Sequence, residues 1–162
     1  SITIDIPAGQ SSAPFVMQAF AESGTATYTV TAPGYGSRSA TVSFAPSGIV
    51  IAGPLGPGFP LSMPVSAASQ EVTVSTALLD PDTGSYVMSQ PLAGGTELAV
   101  SLTSSDSAVA SIQSTVTIHG GTDSVVMPFT LLSAGSVTLS VETPAGFTTP
   151  RHFTNLVVLA TE

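Results

Sequence analysis

Along most of the chain, apolar side chains recur at every second position. Ala13, Phe15, Met17 and Ala19 form one such row, Ala26, Tyr28 and Val30 a second, and Val125, Met127, Phe129 and Leu131 a third. A step of two places successive side chains on opposite faces of an extended strand, so each row marks one face of a half-buried strand. Val, Ile and Thr dominate these runs, and their branched Cβ suits a pleated sheet. Gly and Pro fall between the runs, at Gly9, Gly24, Pro33-Gly34, Gly120-Gly121, Gly135 and Pro144-Ala145-Gly146. Turns need positive or preset φ at such places. The pattern predicts an all-β chain with essentially no helix.

The rows also repeat. Ile4 and Ile6 fall on Val116 and Ile118, and Ala13, Phe15, Met17 and Ala19 fall on Val125, Met127, Phe129 and Leu131, at an offset of 112. One residue then drops out, so that Gly24, Ala26, Tyr28 and Val30 meet Gly135, Val137, Leu139 and Val141 at an offset of 111. After a turn that holds Tyr35 in one copy and Phe147 in the other, Val42 and Phe44 meet Leu156 and Val158 at an offset of 114. Phe and Met exchange places at the second and third positions of one row, a swap that conserves core volume. Four strands are expected in each copy, near 2–6, 12–20, 25–32 and 38–44 and near 114–118, 124–132, 136–143 and 152–160.

Between the copies the pattern predicts strands at 48–51, 71–79, 85–89, 96–103 and 107–112. Short strands with turn signals every 8–12 residues or so mark a β-sandwich or barrel. The run Leu102-Thr103-Ser104-Ser105-Asp106-Ser107-Ala108-Val109-Ala110-Ser111-Ile112 leads into Val116-Thr117-Ile118, a Gly turn, an alternating strand and Ala134-Gly135-Ser136-Val137-Thr138-Leu139. This stretch resembles the bacterial immunoglobulin-like repeats found in tandem in large secreted or surface proteins. The resemblance covers 100–160, and 1–45 more loosely. It implies an Ig-like antiparallel β-sandwich, with one complete repeat preceded by the C-terminal half of another. The expected division is a half-repeat at 1–45, a Pro/Gly-rich connector with a first strand at 46–68, and the main body of a complete repeat at 69–162. A half-repeat has one greasy face and open strand edges, so its strands are expected to be completed by another segment or subunit.

Composition narrows the class. Charged residues make up 7% of the 162 residues and the formal net charge is −8, which sets aside nucleic acid and anionic membrane surfaces as partners. Hydrophobic residues make up 43%, too many for a disordered chain. Polarity comes from 45 Ser and Thr, while Lys, Cys and Trp are absent. The core therefore rests on burial and strand pairing alone, without disulfides. The most apolar stretch, 49–65, carries Pro54, Pro57, Pro60 and Pro64, which argues against membrane insertion. An acidic, hydroxyl-rich, lysine-free surface points to an extracellular or cell-surface protein; the chain opens on a strand-like run without a targeting segment, so either a signal was removed or these residues are an excised piece.

Candidate chemistry is sparse. His119 and His152 sit in different turns, and neither accompanies a nucleophile elbow, so no catalytic residue, enzyme activity or cofactor is expected. Asp80-Pro81-Asp82-Thr83-Gly84 sets two carboxylates two residues apart beside a hydroxyl, the oxygen chemistry that calcium uses. The same five residues also read as a Pro-containing β-turn. Asp106 reads as a loop residue, and Gly53-Pro54-Leu55-Gly56-Pro57-Gly58 as a stiff connector. The expected function is a non-enzymatic structural repeat of a stalk, fibre or surface filament, whose partners are neighbouring copies or repeats joined through strand edges. The alternative is an adhesin or carbohydrate-binding module with a glycan ligand on the same scaffold.

Overall fold

The computed structural model describes residues 1–15, 17, 19, 21–67 and 70–162, and every regular element among them is a strand. Strands β1 (Thr25–Ala32) and β2 (Tyr35–Ser43) form a two-stranded antiparallel sheet of their own. The other ten strands build two five-stranded sheets. One contains β3 (Ser47–Ala52), β5 (Gln70–Leu79), β10 (Ser124–Leu131) and β8 (Ala110–Ile112) in that order, with β6 (Tyr86–Ser89) on β5. The second runs β4 (Leu61–Pro64), β12 (Asn155–Thr161), β11 (Gly135–Val141), β7 (Glu97–Ser104), β9 (Thr115–His119). Pairing is antiparallel throughout except that β4 lies parallel to β12.

The inward rows of both sheets meet in one core. Ile49, Val74 and Phe129 come from the first sheet, and Val100, Ile118, Leu139 and Val158 from the second. Alternation makes this possible, because each strand turns one set of side chains inward and leaves the other in water. β12 reads exposed and buried in strict alternation. β3 does not alternate, since it is covered twice. Ile49 and Ile51 enter the main core, while Val50 joins Ala77, Leu79, Tyr86 and Phe153 in a smaller cluster on the other face. A continuous apolar run is the sequence of a strand buried on both sides.

The Pro/Gly-rich connector is not a rod between two bodies. Residues 53–60 carry the chain from β3 in one sheet to β4 in the other, starting with a tight turn in which Gly56 N donates to Gly53 O at 2.9 Å. A Cβ on Gly53 would come within 2.7 Å of Leu61 Cδ2, so the loop and β4 pack closely. β4 itself lay hidden, following Pro60 and ending in Pro64, residues that an edge strand tolerates.

Residues 1–45 differ from expectation in an informative way. β1 and β2 form as the pattern predicts, joined by Pro33-Gly34 with Gly34 at φ 79°. Residues 2–6 and 12–15 enter no strand. The rest of the expected 12–20 strand includes Val16, Gln18 and Phe20, which lie outside the described residues. In the body, β9 pairs with β7, and β10 with β5 and β8, all three partners lying in 46–112. β11 and β12 pair with each other. Segments 2–6 and 12–15 match β9 and β10, whereas β1 and β2 match β11 and β12. The first copy thus forms the one pair that it can form from its own residues.

Pairing also corrects the offset of the last strand. Val137 faces Val158 in the body, and its counterpart Ala26 faces Val42, so Val42 stands for Val158 at an offset of 116 rather than 114. The slip of two keeps the same side chains on the same face, where a slip of one would invert them. Its cause is the two-residue turn of the hairpin, in place of the long 142–154 connection of the body. The turns that precede the 12–15 segment and β10 coincide closely. Gln10 N donates to Pro7 O at 3.0 Å and Thr122 N to His119 O at 3.1 Å, with Gly9 and Gly121 at φ 84° and 88°.

Leu139 and Tyr28 hold matching positions, one buried in the core and the other half-buried. Leu139→Ala is expected to lower the unfolding free energy by about 2–5 kcal/mol, and Tyr28→Ala by less than about 1 kcal/mol. Urea unfolding followed by far-ultraviolet circular dichroism measures both; equal losses would contradict the account of the core.

Candidate functional site

The feature that sets residues 1–45 apart is a sheet face over which no second layer of strands lies among the described residues. Ala26, Tyr28 and Val30 on β1 lie on one face with Val42, Ala40 and Arg38, their partners on β2. All of these except Arg38 have body counterparts in the core. Val30 is 53% exposed against 7% for Val141, and Ile6 is 56% exposed against 0% for Ile118. Phe15 closes on Tyr28 edge to face, with ring centroids 5.5 Å apart. An aromatic pair of this geometry adds only about 0.5–1.5 kcal/mol beyond its burial, far less than a second layer supplies.

The opposite face of the hairpin is a ladder of hydroxyls. Thr27 and Thr41 meet at 3.0 Å and Thr29 and Ser39 at 2.7 Å, in directly opposed cross-strand pairs. The hairpin is thus amphipathic, with polar and apolar faces sorted as in β11 and β12. Among the described residues each of its strands pairs only with the other, which leaves the outer edges of β1 and β2 open there. Where the hairpin meets the body, a groove of about 960 Å³ is lined by Met17, Ala19 and Phe44 on one side and Leu78, Leu92 and Phe147 on the other.

The structure places the candidate cation ligands in a self-contained turn. Asp80 Oδ1 accepts from Thr83 Oγ1 at 2.8 Å, from Thr83 N at 2.8 Å and from Asp82 N at 3.1 Å. Gly84 N closes the loop on Asp80 O at 2.8 Å. One carboxylate oxygen therefore organises the turn that carries both Asp80 and Asp82. Among the described residues no group of three or more His, Cys, Asp or Glu side chains gathers where it could hold a metal ion. Asp106 acts likewise on a smaller scale, accepting from Ala108 N at 2.9 Å.

The remaining singled-out residues are dispersed. His119 Nδ1 stands 3.2 Å from Glu97 Oε1 across the β7–β9 pair, on the exposed face. His152 stacks loosely on Phe153 with ring centroids 6.0 Å apart. Phe147 packs against the main core, whereas its counterpart Tyr35 is exposed at the hairpin tip. Alternation did not mark Arg38, which stands opposite Val30 on the apolar face. Comparison with protein-family models, with curated proteins and with solved structures finds no match for this chain.

The Asp80 turn carries a direct test. The Thr83 hydroxyl, then the backbone N–H groups of Thr83 and Asp82, hold the Asp80 carboxyl below its ordinary 3.8. A carboxylate whose pKa is depressed by folding stabilises the fold above the unfolded value, and that contribution disappears as pH falls through the folded value. Thr83→Val is expected to raise the Asp80 pKa toward 3.8 and to reduce this contribution, the two backbone N–H bonds remaining. A nuclear magnetic resonance titration of the Asp80 carboxyl carbon reads the shift; an unchanged midpoint would show that the hydroxyl is not its main cause.

Proposed function

We propose that this chain is a non-enzymatic structural segment of an extracellular or cell-surface protein, built from immunoglobulin-like repeats and assembled into a stalk, fibre or filament. The observation that carries the reading is the apolar face of residues 1–45, which no strand covers among the described residues and whose apolar positions match a face that is buried in the body. A sheet of this kind is an assembly element, because its open edges and greasy side are stable only in company.

The strand order supports the immunoglobulin-like part. The order β3-β5-β10-β8 reads as strands A, B, E and D of such a sandwich, and β12-β11-β7 as G, F and C. β9 departs from the usual arrangement. It pairs with β7 as an extra strand would, yet follows β8 in the chain. The chemistry-bearing side chains support the non-enzymatic part, since the Asp80 carboxylate and the Glu97–His119 pair each serve a turn or a strand pair. Seven percent charged residues and plentiful hydroxyls would let such modules lie side by side with little desolvation cost.

At pH 8 the ten carboxylates give the chain a net negative charge that opposes lateral association. Protonation toward pH 4 reduces that charge, so self-association is expected to tighten by roughly tenfold between pH 8 and pH 4. Light scattering across this range tests the expectation. Electron microscopy of the native material is expected to show ordered filaments or stalks; dispersed particles and flat scattering would refute the structural role.

A further inference from the structure

The body contains a template for what is missing from residues 1–45. There, the strands of 113–162 are covered and edged by strands of 46–112. β7 pairs with both β9 and β11, β5 and β8 with β10, and β4 lies parallel to β12. The chain therefore holds one block of the 46–112 type and two blocks that need one. Copies of this chain alone cannot correct the imbalance. Exchange of 46–112 between copies, in a closed ring or an open fibre, would fill one half by emptying another.

We infer that residues 1–45 are completed by a strand block of the 46–112 pattern that lies outside these 162 residues and joins them on the N-terminal side of the same polypeptide. This rests on the reading of 1–45 as half a unit. The template fixes the geometry. The open edge of β1 receives an antiparallel strand like β7. In the body Leu139 faces Ser104 and Val141 faces Leu102, so Tyr28 and Val30 face the corresponding positions of that strand. The open edge of β2 receives a short parallel strand like β4, where Val158 faces Leu61. Segments 2–6 and 12–15 become strands once β7-like and β5-like partners lie beside them. The direct connection is what selects the same polypeptide. Only two residues separate β8 (Ala110–Ile112) from β9 (Thr115–His119), so in the body the covering block runs straight into the strands that it covers.

The test is amide hydrogen exchange read by mass spectrometry on the native polypeptide and on the 162-residue chain, together with the mass and N-terminal peptides of the native material. In the 162-residue chain, amides of 2–6 and 12–15 are expected to exchange at nearly unstructured rates at every protein concentration. In the native polypeptide they are expected to slow by on the order of 100-fold, and the peptide that contains Ser1 is expected to extend upstream into alternating strand sequence. A native N-terminus at Ser1 would overturn the inference, as would equal exchange in the two proteins. Protection that rises with concentration in the 162-residue chain would also overturn it, by showing that a second copy is the partner. Protection without filaments would leave this inference standing and remove the structural role proposed above.

Discussion

A β-sheet that is apolar on one face needs a second layer over that face, and the structure follows from where this need is met. In residues 46–162 two five-stranded sheets meet it for each other, so that Ile49, Val74 and Phe129 share a core with Ile118, Leu139 and Val158. At about 25 cal/mol per Å² of apolar surface removed from water, this mutual burial is the main source of stability for a chain without cysteines. In residues 1–45 the same pattern is written and the second layer is absent among the described residues. The hairpin forms because its closure is local, two residues between β1 and β2, and loses little chain entropy. Segments 2–6 and 12–15 have no such local partner, and their strand-like alternation is not enough to order them in a ladder.

Much of the body could be read from the sequence because period-two alternation reports burial directly. β5, β7, β10, β11 and β12 fall within a few residues of their expected positions, and the inward rows that contain Met127, Phe129, Val137 and Leu139 became core. Other features escaped for physical reasons. β4 is four residues that follow Pro60 and end in Pro64, and its partner β12 lies about a hundred residues further on, so neither pattern nor local pairing reveals it. The register of β2 depended on a turn length that alternation does not encode. The missing strand at 2–6 is the clearest case. Alternation at Ile2, Ile4 and Ile6 says which face a strand would bury, but not whether a neighbour exists to bury it. Of the candidate chemistry, the Asp80–Gly84 turn was legible as a turn, because Asp at its first position has donors within reach of its own carboxylate.

The edges of the sheets separate the body from the hairpin. An exposed edge strand invites pairing, and proteins blunt such edges with short strands, prolines, charges or covering loops. The body uses most of these devices. β8 has three residues and β4 ends in Pro64. β9 carries His119 opposite Glu97. The edge of β3 is covered by the 148–153 segment, where Thr148 N donates to Ser47 O at 2.8 Å and Ile51 N donates to Phe153 O at 2.8 Å. Phe153 adopts φ 72°, a left-handed conformation rare for a bulky side chain, while making this contact and packing against Tyr86. Such a backbone is retained only where the surroundings over-determine it. Covering that edge is thus part of how the body excludes further strands.

The hairpin shows no comparable defence. β1 has eight residues and β2 nine, with one charged side chain, Arg38, between them and no proline within either strand. Their polar side chains are Thr and Ser, which are compatible with a neighbouring strand on either side and good strand formers in the case of Thr. A chain that guards the edges of one β-unit and leaves those of a matching unit bare treats the two differently for a physical reason. Guarded edges end a sheet, and bare edges with a bare apolar face continue one. The same two features make residues 1–45 poorly suited to standing alone in water and, on the completion inferred above, fit them to receive strands of the 46–112 pattern.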